Sequence, residues 1–126
     1  MTIRLLAVDD EPATLQMLRL TVRLKRPDWE FLSAETGQQA LDLAASRSID
    51  VVLLDVMMPG MDGFEVCRRL RADPKTARIP IVMFTALDTV DRRERAMAIG
   101  ATAFWVKPFM PNEFLPELER LVQERE

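Results

Sequence analysis

Histidine is absent from the chain altogether. That absence excludes histidine general-base catalysis, histidine metal ligation and any phosphohistidine carried by the chain itself. Cysteine occurs once, as Cys67, so no internal disulfide can form. Its place in the amphipathic run Phe64, Cys67, Leu70 assigns it to the core as a small apolar residue. No apolar run approaches the ~20 residues needed to span a bilayer, and Met1-Thr2-Ile3-Arg4 lacks the apolar stretch of a secretion signal. The chain is therefore expected to work in the cytoplasm, away from membranes. A dominant charge of one sign is missing too. Acids and bases interleave to a net charge of −3, with no basic stripe, so direct nucleic-acid binding is not expected.

What is present fits one globular domain over residues 1–126, with 48% apolar residues. Short apolar runs alternate with longer amphipathic ones. The runs Ile3–Val8, Glu30–Ala34, Asp50–Leu54, Pro80–Phe84 and Thr102–Val106 read as strands, most of them rich in Val, Ile, Leu and Phe between turn residues. Three are nearly continuous apolar runs, the pattern of parallel strands covered on both faces. Five helices are predicted between and after them. The first covers Pro12 to Lys25, with Leu15, Leu18 and Val22 on one face, and the second covers Gly37 to Arg47. The third runs from Asp62 to Arg71, opening on a capping box of Asp62 and Glu65. The fourth runs from Asp88 to Ile99, is thinly apolar, and ends at Gly100. The last carries Phe114, Leu118, Leu121 and Val122. Pro116 lacks an N–H, so the regular part of that helix is predicted to begin near Pro116, or to be distorted before it. Serial β-α units with right-handed crossovers imply an α/β fold. The expected form is a flavodoxin-like, doubly wound, five-stranded parallel sheet of order 2-1-3-4-5 with five helices.

The polar residues fall at strand ends. Strand one runs into Asp9-Asp10, strand three into Asp55, strand four into Thr85 and strand five into Lys107. Taken singly, each has an ordinary use: Asp9, Asp10 and Thr85 as helix caps, Asp55 in a turn before Pro59-Gly60, Lys107 as a solvated cation. In an open parallel sheet, however, these ends share the edge where such folds bind ligands. Independent caps have no reason to converge there. Crowded carboxylates repel one another unless a cation joins them. Oxygen ligands without His or Cys point to Mg2+, which favours a phosphate oxygen as a further ligand. A carboxylate beside such an ion can act as a nucleophile on phosphorus. Thr85 and Lys107 then suit the remaining phosphoryl oxygens.

Four segments carry a resemblance. They are Ala7-Val8-Asp9-Asp10-Glu11-Pro12, Leu54-Asp55-Val56-Met57-Met58-Pro59-Gly60-Met61-Asp62-Gly63, Phe84-Thr85-Ala86 and Val106-Lys107-Pro108-Phe109. In this order, and with these gaps, the chain resembles the receiver domains of bacterial two-component response regulators over essentially its whole length. The resemblance implies that Asp55 accepts a phosphoryl group from a phosphohistidine on a separate histidine kinase or phosphotransfer protein. It implies that Mg2+ is held by Asp10, Asp55 and the main-chain carbonyl of Met57, with Asp9 acting through a metal-bound water. It makes Thr85 and Phe104 a switch pair, Phe104 turning inward on phosphorylation, and it favours a cis bond between Lys107 and Pro108. Met57 and Leu87, two residues past Asp55 and Thr85, are expected to flank the path of a hydrolytic water. Being apolar, they should slow the loss of the phosphoryl group. The chain would thus be a self-phosphorylating acceptor with slow autodephosphorylation rather than a turnover enzyme.

Two features depart from the family pattern. Many DNA-binding members carry an acidic pair after the Gly-Ala that is here followed by Thr102-Ala103, so the charge-paired dimer face of those members loses its signature. Trp105, beside the switch residue, is read as packing against the last helix. Two other functions fit the residues less well. A pseudo-receiver that binds proteins without phosphorylation is opposed by intact Asp55, Thr85 and Lys107. A hydrolase of the aspartyl-phosphate type needs a second acid where Met57 stands. The sequence names neither the kinase, the stimulus, the output partner nor the oligomeric state.

Overall fold

The computed structural model of the chain describes residues 2–86, 89–107 and 111–125, with side chains from 113 onward in the last segment. Five strands form: β1 (Arg4–Val8), β2 (Glu30–Ala34), β3 (Val51–Asp55), β4 (Ile81–Thr85) and β5 (Ala103–Val106). All pair in parallel, in the order β2-β1-β3-β4-β5. Five helices accompany them: α1 (Pro12–Lys25), α2 (Gly37–Ser46), α3 (Gly63–Ala72), α4 (Val90–Ala98) and α5 (Pro111–Glu124). The fold class and strand order are those read from the sequence.

The two-residue period of the strands divides the core in two. Leu6, Val8, Val52, Leu54, Ile81, Met83 and Phe104 point to one side and meet Ala40, Val66, Cys67, Leu70 and Ala96 of α2, α3 and α4. Leu5, Ala7, Val51, Leu53, Val82 and Phe84 point to the other and meet Leu15, Leu18, Val22, Phe114, Leu115 and Leu118 of α1 and α5. Strands β3 and β4 are buried at every position, which explains their unbroken apolar sequence. Each fully buried Leu or Ile contributes about 1.5–3 kcal/mol relative to an exposed one. Cys67 is buried within the first cluster, where burial raises its thiol pKa, and Trp105 packs against the α1/α5 cluster.

Helix starts show where local chemistry differed from expectation. Thr36 caps α2 by accepting from Gln39 N at 3.1 Å. Asp62 caps α3 by accepting from Glu65 N at 3.0 Å, but the reciprocal half of the capping box does not form. The Glu65 carboxylate turns instead to Arg68 and Arg69, at 2.9 and 2.7 Å, and these guanidinium bonds hold its pKa down at about 2. Helix α4 is capped by Thr89, whose hydroxyl accepts from Arg92 N at 3.2 Å, so it begins at Val90 rather than Asp88. Asp88 itself lies outside the described residues, as does the Lys107–Pro108 bond. Helix α5 starts at Pro111 and runs through Pro116, so it does not begin near Pro116. The proline removes one donor, whereas the turn ahead of it buries Phe114 and Leu115 at 2% and 1% exposure. That apolar burial outweighs one missing backbone bond. Gly100 follows α4 at φ 107°, the left-handed turn that ends a helix. Among the described residues no helix is long and apolar enough to cross a membrane.

Candidate functional site

The edge formed by the strand C-termini collects the polar residues that the sequence placed there. Asp9 follows β1 directly and is 1% exposed. Its main-chain N–H donates to Ala34 O at 3.1 Å, and its Oδ1 accepts from Glu11 N at 2.9 Å, which ties the carboxylate to the entry of α1. Its Oδ2 accepts from Lys107 Nζ at 3.1 Å. Asp55 is the last residue of β3 and is 5% exposed. Its Oδ1 accepts from Met57 N at 3.4 Å and lies 4.0 Å from Lys107 Nζ. Asp10 is exposed, yet one carboxylate oxygen from each of Asp9, Asp10 and Asp55 falls within 4.8 Å of the others. Thr85 ends β4, fully buried, and its carbonyl accepts from Lys107 N at 2.8 Å. The Lys107 ammonium lies 4.8 Å from the Phe84 ring centroid, so an aromatic face guides it toward the carboxylates.

The floor of the site is closed from below. Gly63 N donates to Val56 O at 3.0 Å. A Cβ at Gly63 would sit 2.2 Å from the Asp55 carbonyl oxygen, so only glycine lets α3 start this close to the end of β3.

The electrostatics follow from this crowding. Burial and the nearby Asp9 carboxylate push the Asp55 carboxyl up to about 7, against the opposing pull of Lys107 and the Met57 amide. Repulsion of this kind is what a hard cation relieves. The donor set fits one: three carboxylates within mutual reach and no nitrogen or sulfur among them. The residues that would hold Mg2+ are Asp9, Asp10 and Asp55, with the backbone at Met57.

The crevice encloses about 550 Å3 and is lined by Asp9, Asp10, Glu11, Asp55, Met57, Thr85, Lys107 and Arg92, among others. All the metal and acceptor residues expected from sequence are thus brought together. Met57 stands at the mouth, 54% exposed; Leu87 is outside the described residues. Phe104 is not in the crevice. It is buried, 7% exposed, in the α2/α3/α4 cluster. The residue that sequence reasoning missed is Arg92. It sits within Asp91-Arg92-Arg93-Glu94-Arg95, where a uniform run of charge gives no sign of which side chain faces the sheet edge.

Residues 5–119 match the family described as the response regulator receiver domain. The response regulator PleD of Caulobacter vibrioides is 45% identical over 108 residues, which cover 86% of this chain and 23% of PleD. The phosphate regulon transcriptional regulatory protein PhoB of Pseudomonas aeruginosa is 38% identical over 119 residues, covering 94% of this chain and 51% of PhoB. The chain therefore spans only part of the length of these curated relatives. Among solved structures, the chemotaxis protein CheY4 of Vibrio cholerae superposes with a TM-score of 0.87 at 35% identity, covering 96% of this chain and 99% of CheY4. The receiver domain of the sensor histidine kinase PA1611 of Pseudomonas aeruginosa superposes with a TM-score of 0.88 at 26% identity, covering 98% of this chain and all of that one. Its structure has a magnesium ion coordinated in the active site cleft.

Proposed function

The chain belongs to the receiver-domain family of bacterial two-component response regulators, and from that premise we propose that Asp55 is the acceptor of a phosphoryl group delivered by a phosphohistidine on a separate protein. The observation that supports this reading most is a single cluster. Asp9, Asp10 and Asp55 bring carboxylate oxygens within 4.8 Å of one another, with Lys107 Nζ 3.1 Å from Asp9 and 4.0 Å from Asp55.

In the transfer, an Asp55 Oδ forms a bond to phosphorus while the bond from phosphorus to the donor imidazole nitrogen breaks. The bonding pair leaves with that nitrogen. Asp55 must be ionised to attack, and Lys107 favours the ionised form while burial and Asp9 oppose it. Asp10, Asp55 and the Met57 carbonyl, with Asp9 in support, would hold Mg2+, which would supply positive charge to the phosphoryl oxygens. The Thr85 hydroxyl donates to one phosphoryl oxygen and the Lys107 ammonium to another. Bringing Thr85 to that oxygen moves the end of β4, and through the Lys107 N to Thr85 O bond it also bears on β5 and Phe104. Partners would then read the face of α4, β5 and α5. No direct contact with nucleic acid or membrane is part of this proposal, and the chain would act in the cytoplasm.

Acetyl phosphate and Mg2+ followed by intact-mass measurement test it. A stable gain of one phosphoryl group, lost in Asp55→Asn, is expected. No gain would instead mean a protein-binding module that does not take phosphate. Turnover of acetyl phosphate without accumulation would mean a hydrolase.

A further inference from the structure

Helix α4 has one buried residue, Ala96, and its three arginines go to three different places. Arg95 lies over the Phe64 ring, 4.2 Å from its centroid. Arg93 lies over Phe104 at 4.9 Å. Arg92 lines the crevice of Asp9, Asp10, Asp55, Thr85 and Lys107, and it is half-buried while Asp91, Arg93, Glu94 and Arg95 are exposed. Its own amide is pinned by the Thr89 cap at 3.2 Å, which fixes the backbone from which the guanidinium extends.

Resting on the reading of Asp55 as phosphoacceptor, we propose that Arg92 is a further phosphoryl-binding residue, its guanidinium donating to an oxygen of the group carried by Asp55. The charge balance motivates this. Among the described residues, four carboxylates (Asp9, Asp10, Glu11 and Asp55) and two cations (Lys107 and Arg92) line the crevice. Phosphorylation replaces the single charge of Asp55 with a group carrying up to about two. Lys107 is already shared, 3.1 Å from Asp9 and 4.0 Å from Asp55. A guanidinium presents parallel donors that match phosphoryl oxygens better than a second ammonium would. Because Arg92 belongs to the first turn of α4, the same bond draws that turn toward the crevice. Phosphorylation then reaches α4 directly, and not only through Thr85.

The test uses the whole chain, with beryllofluoride as the phosphoryl mimic and calorimetry as the readout. Arg92→Ala is expected to weaken beryllofluoride binding in saturating Mg2+ by about tenfold, the range of one partly screened charge-assisted hydrogen bond. Arg92→Lys should restore part of that loss. Mg2+ alone should bind Arg92→Ala as well as the parent or up to about threefold tighter, because a like charge has been removed. Arg95→Ala, which alters the same helix away from the crevice, should bind the mimic normally. Unchanged beryllofluoride affinity in Arg92→Ala overturns the proposal. So does a matching loss of Mg2+ affinity, which would mean a distorted crevice. If the parent chain itself gains no phosphoryl group from acetyl phosphate, it is the reading of Asp55 that fails, and the role of Arg92 falls with it.

Discussion

Arg93 holds Phe104 in two ways at once. Its guanidinium lies 4.9 Å from the ring centroid, and its Nη1 donates to the Phe104 main-chain oxygen at 3.4 Å. Helix α4 is thereby fastened to β5 at the residue expected to act as the switch. Arg93→Ala should cost about 0.5–1 kcal/mol of stability, the value of an exposed cation–π contact, read as a shift in the urea midpoint. More tellingly, it should raise amide exchange in α4 and β5 while leaving β1 and β3 unchanged. Exchange rising evenly across the sheet would sink the idea of a local fastener.

The raised pKa of Asp55 has a sign that can be worked out. The folded chain keeps this proton up to about pH 7, whereas an ordinary aspartate carboxyl releases it at 3.8. Between those values the folded state binds more protons, so in the absence of divalent cation stability falls as pH rises. The contribution is full below about pH 4 and lost as pH rises through about 7, on the order of 4 kcal/mol. Asp55→Asn should therefore match the parent near pH 4 and exceed it by that order at pH 8 in chelator. Adding Mg2+ at pH 8 should recover much of the difference for the parent. Parallel stability curves for the two proteins from pH 4 to 8 would contradict this account.

Loss of the phosphoryl group needs a water in line with phosphorus, and the apolar Met57 side chain stands at the crevice mouth, 54% exposed. The double change Met57→Asn with Leu87→Glu supplies polar groups able to orient that water. At about 0.5–1.5 kcal/mol per hydrogen bond, the phosphorylated form should decay up to roughly a hundredfold faster, followed by mass against time in excess Mg2+. An unchanged lifetime would put the barrier elsewhere.

Arg71 is expected to matter for stability far more than its neighbours. Its guanidinium donates to Gly100 O at 2.9 Å, Ala77 O at 3.0 Å and Ile79 O at 2.6 Å, joining the segments that lead into β4 and β5. Burial lowers its pKa, yet its hydrogen bonds here are to uncharged oxygens. Arg71→Ala leaves those carbonyls short of a donor and should cost about 2–4 kcal/mol. Arg68→Ala on the exposed face should change the denaturation midpoint little, and equal effects would refute the distinction.

The sheet was legible in the sequence because β3 and β4 are covered on both faces, which leaves unbroken apolar runs between polar punctuation. The strand ends move by only one residue, since Asp55 and Thr85 close their strands instead of following them. The candidate site was legible for the same reason: its residues are that punctuation. Helix starts were harder. The start of α5 depends on Phe114 and Leu115 reaching the core, a tertiary gain that no local rule weighs against Pro116. The position of Arg92 depends on the angle at which α4 lies on the sheet, which its run of charges does not encode.

The contact between Gly63 and the Asp55 carbonyl also bears on how force travels. With α3 seated 2.2 Å from that oxygen for any added Cβ, and with Gly63 N bonded to Val56 O, the acceptor stands against a backstop. When charge is loaded onto Asp55, its backbone has nowhere to recoil toward α3. Helix α4 packs on the same face of the sheet as α3, held by Ala96 and by the ring contacts of Arg93 and Arg95. Charge loaded at the acceptor is therefore taken up by the side chains that line the crevice, Arg92 of α4 among them, and not by a shift of the β3 backbone toward α3.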